Sequence, residues 1–437
     1  MIFSLTVAIL VCLGMVVAIL RFPHIKLGKL SIDSYWVVSL VGALVLLFSG
    51  RVNVSLLAKR LTESSPVNPI KILLLFLSMT LLSVFLDEVG FFRYLASRTL
   101  VLAKHSQTKL FVLLYIVVSI LTVFTSNDVV ILTFTPFLCY FAKHAGISPR
   151  PYLVAEFVAA NTMSMTLLIG NPTNIYIATT YRLSFAEYAS VMALPTLAGS
   201  LVAFLVLFLL FKKELSAPAE IVELDATISD KPELILGLVT LGSCTLLLAI
   251  GPYFGLELWL VSLVSAVVLF VSVSFLSALH RRKPTELKHA FLRAPWQLVP
   301  FVLSMFVIVQ ALSEVGVTDQ VSRLLDRFPP IFSYGVSSFL AANFINNIPM
   351  SVFFCPVLGP IASLGGTNAL GAIYATVVGS NLGAYLTPVG ALAGILWMSL
   401  LKKQGVKFGY LDFLRYGAII SIPTLAATLC VLALRLG

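Results

Sequence analysis

A chain of 437 residues that is 59% hydrophobic and only 11% charged cannot clothe a water-facing surface, because soluble domains carry roughly 25% charged residues. A formal net charge of +10 would suit a nucleic-acid partner in a soluble protein, but at a mean hydropathy of +1.02 the Lys and Arg belong in short loops, where they set membrane orientation. A soluble domain and a nucleic-acid partner are thereby excluded, lipid is the solvent, and the length allows roughly ten spans of ~20 residues with their loops.

The first apolar run, 2–20, is followed rather than preceded by its basic residues, Arg21, His24, Lys26 and Lys29. A cleaved signal peptide has the opposite charge order, so a retained helix is expected. Runs 34–50 and 70–88 come next. Stretch 108–142 is interrupted by Ser126-Asn127-Asp128, and 152–181 by Gly170-Asn171-Pro172-Thr173-Asn174. Run 185–211 closes the first half, and a polar linker at 212–232 carries Glu214, Glu220, Glu223, Asp225 and Asp230. The plan then returns in 233–251, 256–278 and 297–316. Stretch 331–364 contains Asn346-Asn347-Ile348-Pro349, run 369–401 is broken at Thr387-Pro388, and 410–435 is last.

Short matches keep the same order in both halves. Asp87-Glu88-Val89-Gly90 corresponds to Ser313-Glu314-Val315-Gly316, Ser126-Asn127-Asp128 to Asn346-Asn347-Ile348, and Asn171-Pro172-Thr173 to Thr387-Pro388-Val389. Their similar offset, about 215–230 residues, marks an internal duplication. The expected domains are a first repeat at 1–211, a cytoplasmic linker at 212–232 and a second repeat at 233–437. Each repeat has five spans, and five is odd, so the second is inverted. The Lys/Arg bias puts His280-Arg281-Arg282-Lys283, Lys212-Lys213, Lys104, Lys109, Lys143, Arg150, Lys402, Lys403 and Lys407 inside, with both termini outside. Arg51, Lys59 and Arg60 fall on the outer side, and an interfacial helix there would accommodate them.

Polar residues in mid-span leave backbone groups that hydrocarbon cannot satisfy, so such backbone survives only inside protein or lining a cavity. Stretches 108–142 and 331–364 are therefore read as re-entrant hairpins with polar tips. Pro172 and Pro388 each remove a backbone donor and disfavour helix before them, which breaks runs 152–181 and 369–401. Discontinuous helices at matching places in two repeats point to a transporter site. The candidate substrate- or ion-binding residues are Ser126, Asn127, Asp128, Asn171, Thr173, Asn174, Asn346, Asn347, Asn381 and Thr387. Among them Asn127, Asn171, Asn347 and Thr387 offer hard oxygens for Na+. Asp128 is the acid at a tip, a proton carrier or cation ligand in one reading and a helix N-cap in another.

Glu156, Asn161 and Asn343 are second-tier residues, with Glu156 placed near the cytoplasmic interface. Asp87, Glu88 and Glu314 read as helix ends or interfacial pairs, and Trp36, Trp259, Trp296 and Trp397 as an aromatic belt. The five cysteines lack a CxxC pattern and read as small core or lipid-facing residues. No nucleophile–base pair, phosphate loop or metal-ligand spacing suggests an enzyme or a resident cofactor.

These motifs, with Ala294-Pro295-Trp296-Gln297 and Leu386-Thr387-Pro388-Val389-Gly390, make the chain resemble the arsenite permeases and related sodium/proton-antiporter-like members of the ion transporter superfamily, with a citrate transporter-like domain. The resemblance covers nearly the whole chain. It implies an all-α polytopic inner-membrane protein of two inverted repeats, each with one re-entrant hairpin and one broken helix, working as an elevator-type transporter. Where arsenite permeases typically carry an acid, this chain has Asn381. The leading expectation is a secondary active transporter of a small inorganic solute, arsenite or antimonite efflux first, coupled to Na+ or H+. A Na+/H+ antiporter, a Na+-coupled carboxylate or other anion symporter and an ion channel on the same fold are the alternatives. Expected partners are the lipid bilayer, a small inorganic ion or solute, a second copy in a homodimer and, were ATP used, a separate ATPase subunit.

Overall fold

Long apolar runs become helices because hydrocarbon leaves every backbone N–H and C=O to be satisfied within its own segment. The computed structural model describes residues 1–22, 24–27, 30–63, 68–103, 106–217, 228 and 230–436. The expectations resting on Lys29, Lys104, Glu220, Glu223 and Asp225 lie outside these residues.

The first half runs α1 (Ile2–Arg21), a ribbon of β1 (His24–Leu27) and β2 (Leu30–Asp33), α2 (Ser34–Phe48), α3 (Val54–Thr62), α4 (Pro69–Glu88) and α5 (Phe91–Ala103). It continues with α6 (Gln107–Phe124), α7 (Asn127–His144), α8 (Arg150–Met163), α9 (Pro172–Thr180) and α10 (Phe185–Leu215). The second half runs α11 (Lys231–Ile250), α12 (Leu258–Leu279), α13 (Thr285–Arg293), α14 (Leu298–Glu314) and α15 (Val317–Leu325). Then come α16 (Pro330–Ile345), α17 (Asn347–Leu364), α18 (Gly366–Leu382), α19 (Leu392–Lys403) and α20 (Tyr410–Leu436). Helices α1 to α10 and α11 to α20 thus follow one plan. Among the described residues nine segments are long and apolar enough to cross a membrane. The ribbon is antiparallel, pairing His24 with Asp33 and Leu27 with Leu30, and is the only sheet among the described residues.

Local chemistry sets the boundaries. Asn68 accepts from Ile70 N and precedes Pro69 at the start of α4, while Ser184 and Glu187 form a capping box on α10. Gly90 and Gly316 follow the two matched acid-Val pairs with φ of 94° and 78°, a left-handed turn that glycine adopts without steric cost. That turn lets α4 and α14 end sharply and α5 and α15 leave at an angle.

Two bodies pack together. Helices α1, α2, α4, α11, α12 and α14 contact one another as one layer, and the hairpins, the broken helices, α10 and α20 form the other. Hairpin α6–α7 lies on α8 of its own half and, through α7, on α19 of the other. Hairpin α16–α17 lies on α18 and, through α17, on α9. Each broken helix is therefore held by both hairpins. A Cβ on Gly379 of α18 would collide with the backbone of Gly335 and Phe339 on α16, so these two helices touch backbone to backbone.

Charged and polar contacts tie helix ends together. Lys71 pairs with Glu257, and Arg293 pairs with Glu88 and, at 2.8 Å, with Asp87. Asn53 N donates to Glu314 at 3.1 Å, and Arg150 donates to Lys407 O at 2.9 Å. Arg51, Lys59 and Arg60 flank or occupy α3, a short helix whose Leu57 is buried and whose two lysine and arginine positions are exposed. Gln297 accepts from Asp33 N at 2.8 Å and Trp36 Nε1 at 2.9 Å, tying α2 to α14. Trp397 does not belong to an interfacial belt: it is 1% exposed, 4.9 Å from Phe157 ring to ring, inside the second body.

Candidate functional site

Both breaks expose backbone where proline interrupts the ladder. After α8 ends at Met163 the chain makes one 3-10 turn at Leu168–Gly170, and Asn171 then caps α9 by accepting from Thr173 N at 3.1 Å. After α18 come 3-10 turns at Gly383–Tyr385 and Pro388–Gly390 before α19. The hairpin tips are equally short. Thr125 is extended between α6 and α7, and Asn346 joins α16 to α17 at φ 72° and ψ 151°. That region is essentially glycine's, so Asn346 stores about 1–3 kcal/mol of strain.

Asn381 is the hub. Its Oδ1 accepts from Asn171 Nδ2 at 2.9 Å and from Ser164 Oγ at 2.9 Å. Its Nδ2 donates to Asn174 Oδ1 at 2.7 Å and to Val377 O at 2.8 Å. Thr173 Oγ1 and Ser380 Oγ are 2.7 Å apart, and Asn174 Nδ2 donates to Ser164 O at 2.7 Å. Every one of these side chains is buried. The two breaks thus share one polar network drawn from both halves.

Hairpin α6–α7 joins through Asn161, whose Oδ1 accepts from Asn127 Nδ2 at 3.0 Å and whose backbone oxygen accepts from Ser164 Oγ at 2.8 Å. Two oxygen-bearing groups at this tip are unspent. Asn127 Oδ1 and Ser126 Oγ are buried and have no partner among the described residues. Asp128 is partly exposed in the first turn of α7 and lies within electrostatic reach of Tyr35 on α2. It is not the N-cap, a position held by Ser126.

The remaining expected residues sit apart from the hub. Thr387 N and Oγ1 donate to Asn343 Oδ1 at 3.0 and 2.9 Å, and Asn346 Nδ2 donates to Val389 O at 3.0 Å. Asn347 is buried at the start of α17. The four residues grouped as a Na+ set are therefore not joined by bonds: Asn127 binds Asn161, Asn171 binds Asn381, and Thr387 binds Asn343. Glu156 is fully buried on α8, with Thr135 Oγ1 donating to it at 3.0 Å.

Ser164 and Ser380 were absent from the expected set. Their signal was position: Ser164 lies one helical turn beyond Asn161, and Ser380 precedes Asn381. Asn161 and Asn381 also share a geometry, each donating Nδ2 at 2.8 Å to the carbonyl four residues before it, Phe157 and Val377.

Two apolar crevices line the boundary between the bodies. One brings Tyr35 and Phe301 against Phe344, Asn346 and Val389, and the other brings Ile72 and Phe76 against Pro172, Tyr176 and Ile348. A bundle of two like halves, with paired hairpins and paired broken helices closing on a buried polar network, is a multi-pass membrane transporter and not an enzyme. Residues 5–358 match the citrate transporter family, and the chain belongs to that family. The arsenical pump membrane proteins of Escherichia coli and Yersinia enterocolitica are 28% and 29% identical to it over 382 residues, 83% of this chain and 85% of theirs. The crystal structure of the YdaH transporter of Alcanivorax borkumensis is similar in fold, with a TM-score of 0.59 at 15% identity across 99% of this chain and 97% of that one.

Proposed function

We propose that this chain exports arsenite or antimonite across the cell inner membrane, driven by a Na+ or H+ gradient. The observation that carries the reading is the hairpin tip, where Asn127 Oδ1 and Ser126 Oγ stand buried and unpartnered beside a network of amides and hydroxyls. A buried polar atom without a partner calls for an explanation, and two side by side at a hairpin tip are explained by a bound solute. Neutral As(OH)3 presents three hydroxyl donors to such oxygens. Lys and Arg do not enter the network among the described residues, which disfavours a multiply charged carboxylate and favours a neutral solute. The relatives named as arsenical pump membrane proteins support the same solute.

In this reading Ser126, Asn127, Asn171, Thr173, Asn174 and Asn381 contact or shape the solute site, and Asp128 faces its mouth. Asn346, Asn347 and Thr387 hold the second tip and the second break. The hairpins enter and leave on one face, and with the broken helices they travel as a block against the other layer, along the apolar crevices. The test is a proteoliposome uptake panel of arsenite, antimonite, Na+, citrate and succinate under imposed H+ and Na+ gradients. Concentrative arsenite flux that follows an ion gradient supports the reading. Flux of citrate or succinate alone makes the chain a carboxylate symporter, Na+ flux alone makes it an antiporter, and flux indifferent to a second ion makes it a channel.

A further inference from the structure

Glu156 lies in the middle of α8, fully buried, and the solute network does not use it. Both its carboxyl oxygens are within hydrogen-bond distance of a single hydroxyl, Thr135 Oγ1 on α7, at 3.0 and 3.1 Å. Beside it on α19 stands Trp397, whose buried indole N–H is near enough to favour the Glu156 carboxylate but falls outside full hydrogen-bond geometry in this conformation. Phe157 and Phe413 close the surroundings, with their rings 4.9 and 5.7 Å from that of Trp397. The titratable neighbour is the thiol of Cys139 on α7.

Charges on the packed elements sit at helix ends. They are Lys109 on α6, Asp128, Lys143 and His144 on α7, Arg150 on α8, and Glu187, Lys212, Lys213 and Glu214 on α10. Lys402 and Lys403 end α19, and Asp412 and Arg415 begin α20. Helix α18 brings no charged residue. None of these cations pairs with Glu156 among the described residues. An uncompensated carboxylate inside a membrane bundle is costly, whereas the neutral acid is readily held by one hydroxyl.

The same two helices carry a second polar rung, Asn127 to Asn161. Helix α7 therefore grips α8 at the solute network and again at Thr135–Glu156. We infer that Glu156 is a proton-binding site separate from the solute site, and that its charge state sets how tightly hairpin α6–α7 holds the broken helices. This rests on the transport reading above for its coupling role, though not for the binding of the proton itself. With α7 closed on α8, the carboxyl O–H is intact. When the rung parts, water accepts the proton, the O–H bond breaks and the electron pair stays on the carboxylate. The nearby indole N–H of Trp397 then has an anion on which to close a full hydrogen bond. A proton taken from water on the opposite side restores the acid and the closed rung.

The experiment uses purified full-length protein in two arms. Infrared difference spectra across a pH titration follow the carboxyl C=O stretch in wild type, Glu156→Gln, Asp128→Asn and Thr135→Val. A titrating band present in wild type and Asp128→Asn, missing in Glu156→Gln and shifted in Thr135→Val is the expected result. A band unchanged in Glu156→Gln overturns the proposal. In proteoliposomes, Glu156→Gln should lose about tenfold or more of pH-gradient-driven arsenite accumulation while arsenite exchange at equal pH stays within about twofold. Glu156→Asp, which keeps a carboxyl, should retain the pH dependence. Wild-type accumulation in Glu156→Gln overturns the coupling role. A wild-type protein that moves no arsenite overturns the proposed solute instead, and the infrared arm still decides whether Glu156 binds the proton.

Discussion

Replacing Asn381 and Asn171, singly and together, measures whether the two breaks share one network. Asn381→Ala strands Asn171 Nδ2, which donates to Asn381 at 2.9 Å, and leaves Asn174 Oδ1, which accepts from it at 2.7 Å, with only a long 3.5 Å contact from Thr173 Oγ1. Ser164 Oγ is spared, because it also donates to Asn161 O at 2.8 Å. Two stranded buried groups at about 1–3 kcal/mol each give a loss of about 2–6 kcal/mol. Asn171→Ala removes the cap on α9, worth about 0.5–2 kcal/mol, and leaves Asn381 Oδ1 still bonded to Ser164. In the double variant no Asn171 amide remains to be stranded. Its loss should therefore fall short of the sum by about 1–3 kcal/mol. The assay is reversible unfolding in bicelles on SDS titration, read by tryptophan fluorescence, for wild type and the three variants. Additivity to within about 0.5 kcal/mol would refute the shared network.

Three other perturbations have defined outcomes. Asn346→Ala should lose both the Val389 bond and the cap on α17 while keeping the strained φ of 72°, so Asn346→Gly should unfold about 1 kcal/mol harder than Asn346→Ala in the same assay. Arg293→Ala leaves Asp87, 4% exposed, without its cation, and since Arg293 is itself partly exposed the cost should be about 1–3 kcal/mol. Thermal aggregation in detergent checks it, and Arg293→Lys should recover part of the loss. Asp128→Asn should yield folded protein with arsenite flux reduced about tenfold, and wild-type flux would remove Asp128 from the site.

Much of this architecture is legible in the sequence because lipid makes hydropathy decisive. Runs such as 2–20 and 185–211 reappear as α1 and α10 with ends displaced by a few residues. The breaks are legible for the same reason, since Pro172 and Pro388 interrupt helix wherever they stand. Helices α5, α13 and α15 were not anticipated. They are short and amphipathic, lying along the bundle with a few buried positions such as Leu287 and Ala290, so a window tuned to spanning runs passes over them. Side-chain pairing was the least legible part. Asn381 and Asn171 stand out as polar residues in apolar runs, yet that they bond each other is a consequence of how α9 and α18 cross. The burial of Glu156 was not legible because it depends on α7 and α19 covering it, and its partner Thr135 is one of many hydroxyls in the chain. The apparent loss of an acid at Asn381 is also recast. An amide both accepts and donates there, and a lone carboxylate could not donate to Asn174 and Val377.

Asn171, Thr173 and Asn174 find their partners 207 to 210 residues further along the chain. During synthesis these three side chains enter the bilayer long before Ser380 and Asn381 have been made. The half-built protein must shelter them meanwhile, with water or with the insertion machinery, and it is most open to degradation in that interval. Substitutions in the late partners should accordingly lower the amount of protein in the cell more than they impair the molecules that reach maturity.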